Sequence, residues 1–484
     1  MNRSILNRTG CCVFFILFSA ELAGCGSDSG NPVPDATASS PDTMAVPDTT
    51  PGSVQVADAA PATVTDAAPA TDGVIDAAPA LDFGTATSPI QRITAPQVPA
   101  ADSTTLASDN AAFAFAAYQK LIATNTNLVF SPASISIALA MTYAGAAGTT
   151  ASEMAQALHF SLPPAQLHPA FNALDQALAS RGEGYLGADG GPMRLRIVNA
   201  LWAEQTYTFK SDFLATLAAN YGADVNLLDF INAPNPSRIT INDWVAEQTE
   251  DKILDLLPPD AIDSSVKLVL TDAVYFNARW ATAFDPSETR DSSFALLDGS
   301  QVTTKFMSAD LANLPALQGT NFKAVSLPYA DKQLSLVVVV PDAGQFTQVE
   351  SSLDATALAT LVAGMTPKTV ALSLPRFRIE TGANLGDLLK ALGMTSAFAP
   401  GSADFSGMDG TRNLFISKVM HKAFIDVGEN GTEAAAATAV VMKDAGMLLV
   451  DMSVWADHPF LYFVRDAPTG AILFMGRVLD PSKN

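Results

Sequence analysis

Cysteine is nearly absent from this 484-residue chain. The three cysteines that occur, Cys11, Cys12 and Cys25, all fall at the N-terminus. After Cys25 no disulfide can form, and a cysteine nucleophile or a C-x-x-C metal or redox motif is excluded. A folded domain in the rest of the chain must therefore be stabilised by packing alone.

Histidine is also scarce, and the common catalytic motifs are missing. The four histidines are scattered, and no G-x-S-x-G, H-E-x-x-H or P-loop sequence occurs. GEGYLG at 182–187 matches G-x-G-x-x-G, but it follows a helical pattern instead of a strand, so we expect a surface loop. No Ser/His/Asp triad is singled out. We therefore expect no enzyme, no cofactor and no metal site. The histidines are His159, His168, His421 and His458.

Positive charge is in short supply. The chain has 27 Lys and Arg against 49 Asp and Glu, a formal net charge of −22. Nucleic-acid binding needs clustered basic residues, so this class of function is excluded. Nine of the 49 acidic residues are aspartates in the first hundred positions, so this part of the acidity describes a solvated segment and not a binding face.

Long hydrophobic runs are lacking as well, and one short apolar run stands near the N-terminus. CCVFFILFSA at 11–20 follows two arginines and precedes LAGC at 22–25, a pattern typical of a secretory signal peptide. LAGC resembles a bacterial lipobox, which implies a signal peptide over 1–24 and a lipid on Cys25. An ordinary signal peptide with an incidental cysteine is the alternative. Because Gly26 follows the cysteine, the resemblance favours the outer membrane or cell surface, with an extracellular location as the alternative.

Residues 25–102 are rich in Pro, Ala, Asp, Thr and Ser, with DAAPA repeated at 58–62, 66–70 and 76–80. Such a composition buries little apolar surface and favours extended, polyproline-like chain. Extended at ~3.1 Å per residue, the segment would reach on the order of 200 Å. We expect a disordered linker that holds a folded domain away from a membrane, with a disordered propeptide as the alternative.

Residues 103–484 carry periodic sequence without another linker. DNAAFAFAAYQKLIA, SPASISIALAMTYAGAAG and ASEMAQALHF predict helices. RLRIVNALWAE, KLVLTDAVYF, LSLVVVVPDA, TVALSLPRFRIE and AILFMGRVLD predict strands. Because helices and strands do not alternate strictly, the order favours an α+β domain over a doubly wound parallel sheet.

One short segment has contradictory propensities. GTEAAAATAVV at 431–441 has four alanines typical of a helix, yet Thr438, Val440 and Val441 favour a strand. Together with neighbouring motifs it resembles the reactive-loop hinge of the serpin family. The other matching motifs are NLVFSPASISIALAMTYAGAAGTTASEM (127–154), INDWVAEQTEDKILDLLPPDAIDSSVKLVLTDAVYFNARW (241–280), LSLPRFRIETGANLGDLLKALGM and the C-terminal ADHPFLYFVRDAPTGAILFMGRVLDP. The resemblance covers 104–484.

The resemblance implies an α+β fold of three sheets surrounded by helices, with an exposed reactive-centre loop and a metastable native state. It implies a suicide-substrate inhibitor: a serine protease attacks the loop and stays bound as an acyl-enzyme while the loop enters the main sheet. We name Glu429 to Thr438 the hinge. Its expected functional residues are Glu429, Gly431, Thr432, Glu433, Ala434, Ala435, Ala436, Ala437 and Thr438.

Strand geometry predicts which way the side chains of the hinge point. Alternate strand residues share a face, so Thr432, Ala434, Ala436 and Thr438 would point together into the covered face of the sheet. Large or charged side chains there would hinder insertion. Glu433 has the opposite parity, and we expect it to stay solvated. We expect Gly431 to let the chain bend without Cβ strain.

The resemblance also implies residues that control sheet opening. Ser131, Ser134 and His421 match the family's shutter positions, and Trp280 matches its breach tryptophan. Many serpins have Asn where this chain has Asp272. A carboxylate beside His421 would make sheet opening depend on pH, which we state as a hypothesis.

Two counts along the sequence place the cleaved bond at different positions. The usual seventeen positions, counted from Glu429, place the bond at Ala445-Gly446. A count from the HPF motif at 458–460 lands later, so Met447 or Leu448 is the alternative. Ala445 predicts an elastase-like target, Met447 or Leu448 a chymotrypsin-like one, and Lys443 a trypsin-like one.

The predicted partners are serine proteases, and a membrane through the N-terminal lipid. We expect a monomer. The alternative function is a non-inhibitory binding or adhesion module on a serpin scaffold, against which the intact hinge argues. A secreted serine hydrolase is the third alternative.

Overall fold

The computed structural model describes residues 83–433 and 449–483, which lie in one compact unit, Ala77–Asn484. Several predictions fall outside the described residues. These are the signal peptide, Cys25, residues 25–82 of the linker, the hinge residues Ala434, Ala435, Ala436, Ala437 and Thr438, and the reactive-bond residues Ala445, Gly446, Met447 and Leu448, with Lys443.

The described residues form ten α-helices and sixteen strands. The helices are α1 Ala100–Leu121, α2 Pro132–Tyr143, α3 Gly148–Ala157, α4 Pro164–Ala179, α5 Ser211–Tyr221, α6 Pro234–Gln248, α7 Phe346–Ser352, α8 Ala355–Ala363, α9 Gly386–Ala391 and α10 Ser406–Asp409. The strands are β1 Gly84–Ala86, β2 Leu128–Phe130, β3 Arg194–Glu204, β4 Val225–Leu228, β5 Leu268–Arg279, β6 Arg290–Ala295, β7 Gln301–Gln318, β8 Phe322–Pro328, β9 Leu334–Pro341, β10 Thr366–Pro375, β11 Phe377–Asn384, β12 Ile416–Gly428, β13 Gly431–Thr432, β14 Met452–Trp455, β15 Phe460–Asp466 and β16 Ile472–Val478. Within this part of the chain no helix is both long and apolar enough to cross a membrane, and no three His, Cys, Asp or Glu side chains are placed to share a metal ion.

A seven-stranded sheet carries the hinge, with the strand order β1-β4-β3-β5-β13-β12-β11. Its central strand β5, LVLTDAVYFNAR, is buried at every position except Arg279. A strand with both faces covered has such a nearly continuous apolar run. Side chains of β5 alternate between two cores. Leu270, Val274 and Phe276 enter the larger one, and Val269 and Tyr275 enter the smaller one beneath α6.

A second sheet has the order β14-β10-β7-β8-β9-β15-β16-β2, and β6 pairs with β7 at its side. The resemblance implies three sheets, whereas backbone hydrogen bonds join the described strands into two. The reason is β7, which is 18 residues long and pairs with β6 and β10 in one part and with β8 in another. The α+β class is as predicted.

Several predicted elements match the structure closely. RLRIVNALWAE is β3 over its full length, and the glycine-rich 182–187 segment lies outside helices and strands. TVALSLPRFRIE, however, forms two strands in different sheets. The chain leaves one sheet at Pro375, which has no N–H to continue a ladder, and enters the other at Phe377.

Ordered structure begins before residue 103, where the sequence places the start of the domain. The short strand β1 pairs with β4, and Phe83 packs edge-on against Trp202 at 5.2 Å between ring centroids. Further on, Arg92 donates to Asn172 Oδ1 at 3.0 Å and pairs with Asp175. The partner residues in these contacts are distant from residues 83–102 in the sequence. Local composition therefore gives no sign that residues 83–102 belong to the folded unit.

Candidate functional site

The hinge enters the seven-stranded sheet at the point where two strands part. Strands β5 and β12 pair directly and in parallel from Leu268–Ile416 up to Val274–Ala423, and we call this paired stretch the seam. Beyond it the two strands diverge. β13 fills the gap and pairs antiparallel with both, so that Thr432 faces Ala278 on β5 and Val427 on β12. Gly431 and Thr432 of the hinge therefore already form a short central strand.

Gly431 occupies a position that has no room for a side chain. A Cβ atom built on Gly431 would lie 2.0 Å from the carbonyl oxygen of Ala278, and its φ is +153°. Both the close approach to the β5 backbone and the positive φ require glycine. The sequence attributes this glycine to chain bending, and the structure adds close contact with the neighbouring strand.

Thr432 points into the larger core, the parity that the sequence predicts for it. Its hydroxyl lies 2.6 Å from the Tyr329 hydroxyl, and the residue is 1% exposed. Tyr329 in turn stacks on Trp280 with ring centroids 4.6 Å apart. Burial raises the pKa of Tyr329, so the phenol stays protonated and able to hydrogen-bond.

Glu433 points to the opposite face, but it is not solvated as the sequence predicts. The residue is 9% exposed, and its Oε1 lies 2.6 Å from Lys252 Nζ in the segment that follows α6. Its φ is +60°, a left-handed conformation that is unusual outside glycine. Burial and then the Glu433 carboxylate raise the pKa of Tyr275 beside it. Residues distant in sequence cover this face, and local parity does not predict them.

Trp280 binds the backbone where the hinge begins, at Gly428 and Asn430. Its indole Nε1–H donates to the carbonyl oxygen of Gly428 at 2.9 Å, and its backbone N–H donates to the carbonyl oxygen of Asn430 at 2.9 Å. The tryptophan is 2% exposed. This predicted residue therefore links the end of β5 to the point where β12 turns into the hinge.

The buried Glu429 carboxylate accepts hydrogen bonds from one charged side chain and one neutral side chain. Its Oε1 accepts from Arg376 Nε at 2.8 Å and from the Thr289 hydroxyl at 2.6 Å. Burial by itself would raise the pKa of Glu429, but the hydrogen bonds from Arg376 and Thr289 outweigh it and hold the pKa below its usual value. Glu429 is thus an ionised anchor at the start of the hinge.

A row of polar side chains crosses the seam further along the same strands. Asn199 on β3, Asp272 on β5 and His421 on β12 are direct register partners. His421 Nδ1 contacts Asp272 Oδ1, and His421 Nε2 lies 3.2 Å from the backbone nitrogen of Ser131. Because the Ser131 N–H can only donate, Nε2 accepts, and the proton on Nδ1 is donated to Asp272. The contact between His421 and Asp272 therefore joins β12 to β5, the same two strands that pair through their backbones.

Ser131 and Ser134 belong to the N-terminus of α2, directly beneath this row. Ser131 caps the helix by accepting from the Ser134 N–H. The Ser134 hydroxyl donates to Asn199 Oδ1 at 3.1 Å, and Asn199 Nδ2 donates back to the Ser134 carbonyl oxygen at 3.1 Å. Sequence reasoning missed Asn199, although an amide within the apolar run RLRIVNALWAE was a usable signal.

The structure therefore groups the predicted residues into two clusters on the same strands. One lies at the hinge entry: Glu429, Gly431, Thr432, Glu433 and Trp280. The other crosses the seam: Ser131, Ser134, Asp272 and His421. Thr432 faces Ala278, six positions along β5 from Asp272, a separation of about 20 Å at ~3.3 Å per residue.

Comparison with known proteins decides the family. A sequence profile described as "Serpin (serine protease inhibitor)" matches residues 108–481. The chain belongs to the serpin family. As a serpin it is 37% identical over 377 residues to the leukocyte elastase inhibitor of Xenopus laevis, covering 76% of this chain and 97% of that protein. It is 36% identical to the human leukocyte elastase inhibitor, covering 78% of this chain and 99% of the relative.

Solved serpin structures agree with this assignment. The native state of the thermophilic serpin tengpin superposes with a TM-score of 0.71 at 27% identity, covering 81% of this serpin and 97% of tengpin. Human thyroxine-binding globulin in complex with thyroxine gives a TM-score of 0.70 at 29% identity, covering 79% of this chain and 100% of the globulin. The similar proteins thus include both named elastase inhibitors and a thyroxine-binding protein.

Proposed function

We propose that this serpin inhibits serine proteases as a suicide substrate, trapping them by insertion of the cleaved loop into the seven-stranded sheet. The observation that carries the proposal is the position of Gly431 and Thr432, paired with β5 on one side and with β12 on the other. A strand that has started between two others extends most simply by adding residues in the same register.

That register specifies where the next hinge residues would lie. Each residue added after Thr432 would face one residue earlier on β5 and one earlier on β12. Ala436 would then face Val274 and Ala423, where the seam begins. Insertion past Ala435 therefore requires β5 and β12 to separate, and small inward-facing side chains keep the steric and desolvation cost low.

Two positions later the same register brings Thr438 between Asp272 and His421. Separation of the seam breaks the bond between that pair, and a buried polar group without a partner costs about 1–3 kcal/mol. A threonine hydroxyl can donate to the carboxylate and accept from Nδ1–H at once. We propose that Ser131, Ser134, Asp272 and His421 hold the seam closed until Thr438 replaces the contact.

The proposed chemistry takes place in the protease. Its serine hydroxyl attacks the carbonyl carbon of Ala445, the peptide bond to Gly446 breaks, and the new amino terminus takes up the proton. An ester then joins Ala445 to the protease serine. Insertion of the cleaved loop would carry the protease away before water hydrolyses that ester.

We propose an elastase-like protease as the target and a chymotrypsin-like one as the second choice. Alanine at 445 fits a small, apolar specificity pocket, and the relatives of Xenopus and human are named leukocyte elastase inhibitors. Met447 or Leu448 would fit a larger apolar pocket if the bond lies later.

We propose export and lipid attachment for the N-terminus. Residues 1–24 would be removed as a signal peptide, Cys25 would carry the lipid, and the Pro-rich segment after it would tether the serpin at the outer membrane or cell surface. The intact mass of the mature chain tests this directly. A mass that starts at Cys25 and includes acyl groups supports the proposal, and an unmodified N-terminus contradicts it.

The inhibitory function is tested by incubating the purified serpin with elastase and analysing the mixture on a denaturing gel. The expected result is a complex that survives denaturation, together with a released peptide that begins at Gly446. Quantitative cleavage of the loop without any complex would contradict inhibition and favour the non-inhibitory binding module.

A further inference from the structure

An exposed apolar surface follows directly after the loop segment. Leu449 is 87% exposed, Val450 is 43% exposed and Trp455 is 64% exposed. Of the four tryptophans in the chain, the other three are buried or half-buried. An exposed indole at such a place indicates a contact surface, because tryptophan is enriched among the residues that contribute most binding energy at interfaces.

The strand beneath Trp455 holds it in a fixed position. Along β14 the side chains of Met452 and Val454 are buried, while Ser453 and Trp455 point outward. Trp455 is the register partner of Ser373 on β10. The next residue, Ala456, donates its N–H to the carbonyl oxygen of Ser373. An anchor that is already ordered loses little conformational entropy on binding.

A groove beside the indole completes the surface. It encloses about 280 Å³ between β14, the start of β8 and the end of β9, and its lining includes Val340, Pro341 and Trp455. The wall is fixed by a hydrogen bond from Lys323 Nζ to the Ser453 carbonyl oxygen at 2.9 Å. His458 contributes a second hydrogen bond, in which its Nε2–H donates to the carbonyl oxygen of Pro341. The groove is thus a shaped site with apolar walls and polar edges.

We propose that Leu449, Val450, Trp455 and the adjacent groove form a docking surface for the body of the attacking serine protease, separate from the bond it cleaves. The inference rests on the proposed inhibitory function. From Gly446 to Trp455 the chain spans at most about 32 Å when fully extended. A serine protease of about 230 residues is roughly 45 Å across. A protease seated on Ala445-Gly446 reaches about 22 Å from that bond, which covers Leu449 and Val450, and it covers Trp455 when the chain between them is less than fully extended.

The competing occupant is a second copy of this serpin. β14 is the last strand of its sheet, and such an edge can pair with another chain. The protease is favoured because the exposed apolar residues run from the loop end to Trp455 in sequence order. Trp455 and Ser453 also lie on the face of the strand and not along its hydrogen-bonding edge.

The test measures docking apart from trapping. Elastase whose catalytic serine is replaced by alanine cannot acylate, so its dissociation constant reports only non-covalent contacts. We expect Trp455→Ala to raise that constant about tenfold, because truncation of a contributing interface residue costs more than about 1 kcal/mol. The matched control is Ile231→Ala, because the Ile231 side chain is also apolar and is 41% exposed. Ile231 lies next to Glu204, at the end of the seven-stranded sheet away from the hinge. We expect the control to bind like the wild type.

The possible outcomes separate the two proposals. An unchanged dissociation constant for Trp455→Ala overturns the docking surface, even if the wild type traps active elastase. A tenfold increase without any trapping by the wild type supports the docking surface and contradicts the inhibitory function. Concentration-dependent self-association of the wild type that Trp455→Ala abolishes assigns the surface to a second copy and overturns the protease. Melting temperatures of all variants confirm that they are folded.

Discussion

His421 donates a hydrogen bond from Nδ1 to Asp272 while its Nε2 accepts the backbone N–H of Ser131. One imidazole thus joins β12 to β5 and both to the N-terminus of α2. We expect Asp272→Ala to destabilise the serpin by about 2 kcal/mol, because it leaves the Nδ1–H buried without an acceptor. Asp272→Asn keeps an acceptor and should cost less. Urea unfolding midpoints measure both effects, and equal midpoints for the wild type and Asp272→Ala would contradict this account.

The same pair is the basis of the hypothesis that sheet opening depends on pH. A second proton on Nε2 of His421 would face the Ser131 N–H, so protonation of the imidazole would remove that hydrogen bond. We expect the rate of complex formation to change with pH beyond the titration of the protease itself, and we expect Asp272→Asn to alter that profile. Identical profiles for the two chains would contradict the hypothesis.

Gly431→Ala tests the close approach at the hinge entry. The new methyl group would collide with the backbone of Ala278, so β13 could not pair as it does. We expect more protease to escape, with several loops cleaved for each protease trapped. The matched control is Gly382→Ala on β11, where an added Cβ meets only the Lys422 side chain at 3.8 Å. If both variants trap protease as efficiently as the wild type, the hinge does not need this glycine.

Thr438→Val tests the register that Gly431 and Thr432 set. The variant keeps the volume of threonine but removes the hydroxyl that we expect to satisfy Asp272 and His421 after the seam opens. Insertion should slow at this point, so the fraction of loop cleaved without a complex should rise. Thr438→Ser keeps the hydroxyl and should behave more like the wild type. The opposite order of the two variants would show that residue 438 does not reach the pair.

Glu429→Gln tests the anchor at the start of the hinge. Because the folded-state pKa of Glu429 is lowered, its ionised form stabilises the fold. This contribution is complete above the unfolded pKa of about 4.5 and is lost as pH falls through the lower folded value. We expect Glu429→Gln to lower stability by about 1 kcal/mol at pH 7, with the difference shrinking below pH 4.5. A difference in unfolding midpoint that stays constant from pH 7 to pH 3 would exclude this ion pair as the cause.

Sequence reasoning predicted the features that depend on local pattern. The β3 segment, the α+β class and the inward direction of Thr432 all follow from periodicity or strand parity. It was less successful where distant residues decide the outcome. Glu433 is buried because Lys252, far earlier in the chain, covers it. Asn199 joins the polar row because its partner Ser134 approaches from a helix 65 residues away.

The start of the folded unit shows the same limit. A three-residue strand at Gly84–Ala86 has no periodicity to detect, and its order depends on pairing with β4. Likewise, the shared strand β7 joins sheets that family resemblance treats as separate. Neither feature is encoded in composition, because each depends on which strands meet after folding.

We propose that the cleaved loop becomes a full strand between β5 and β12. The most direct measurement is the melting temperature of the purified serpin before and after a protease that is not trapped nicks the chain within residues 434–448. Insertion adds a central strand with hydrogen bonds on both sides, so we expect a large rise in melting temperature after cleavage. An unchanged or lower melting temperature of the nicked chain would contradict it.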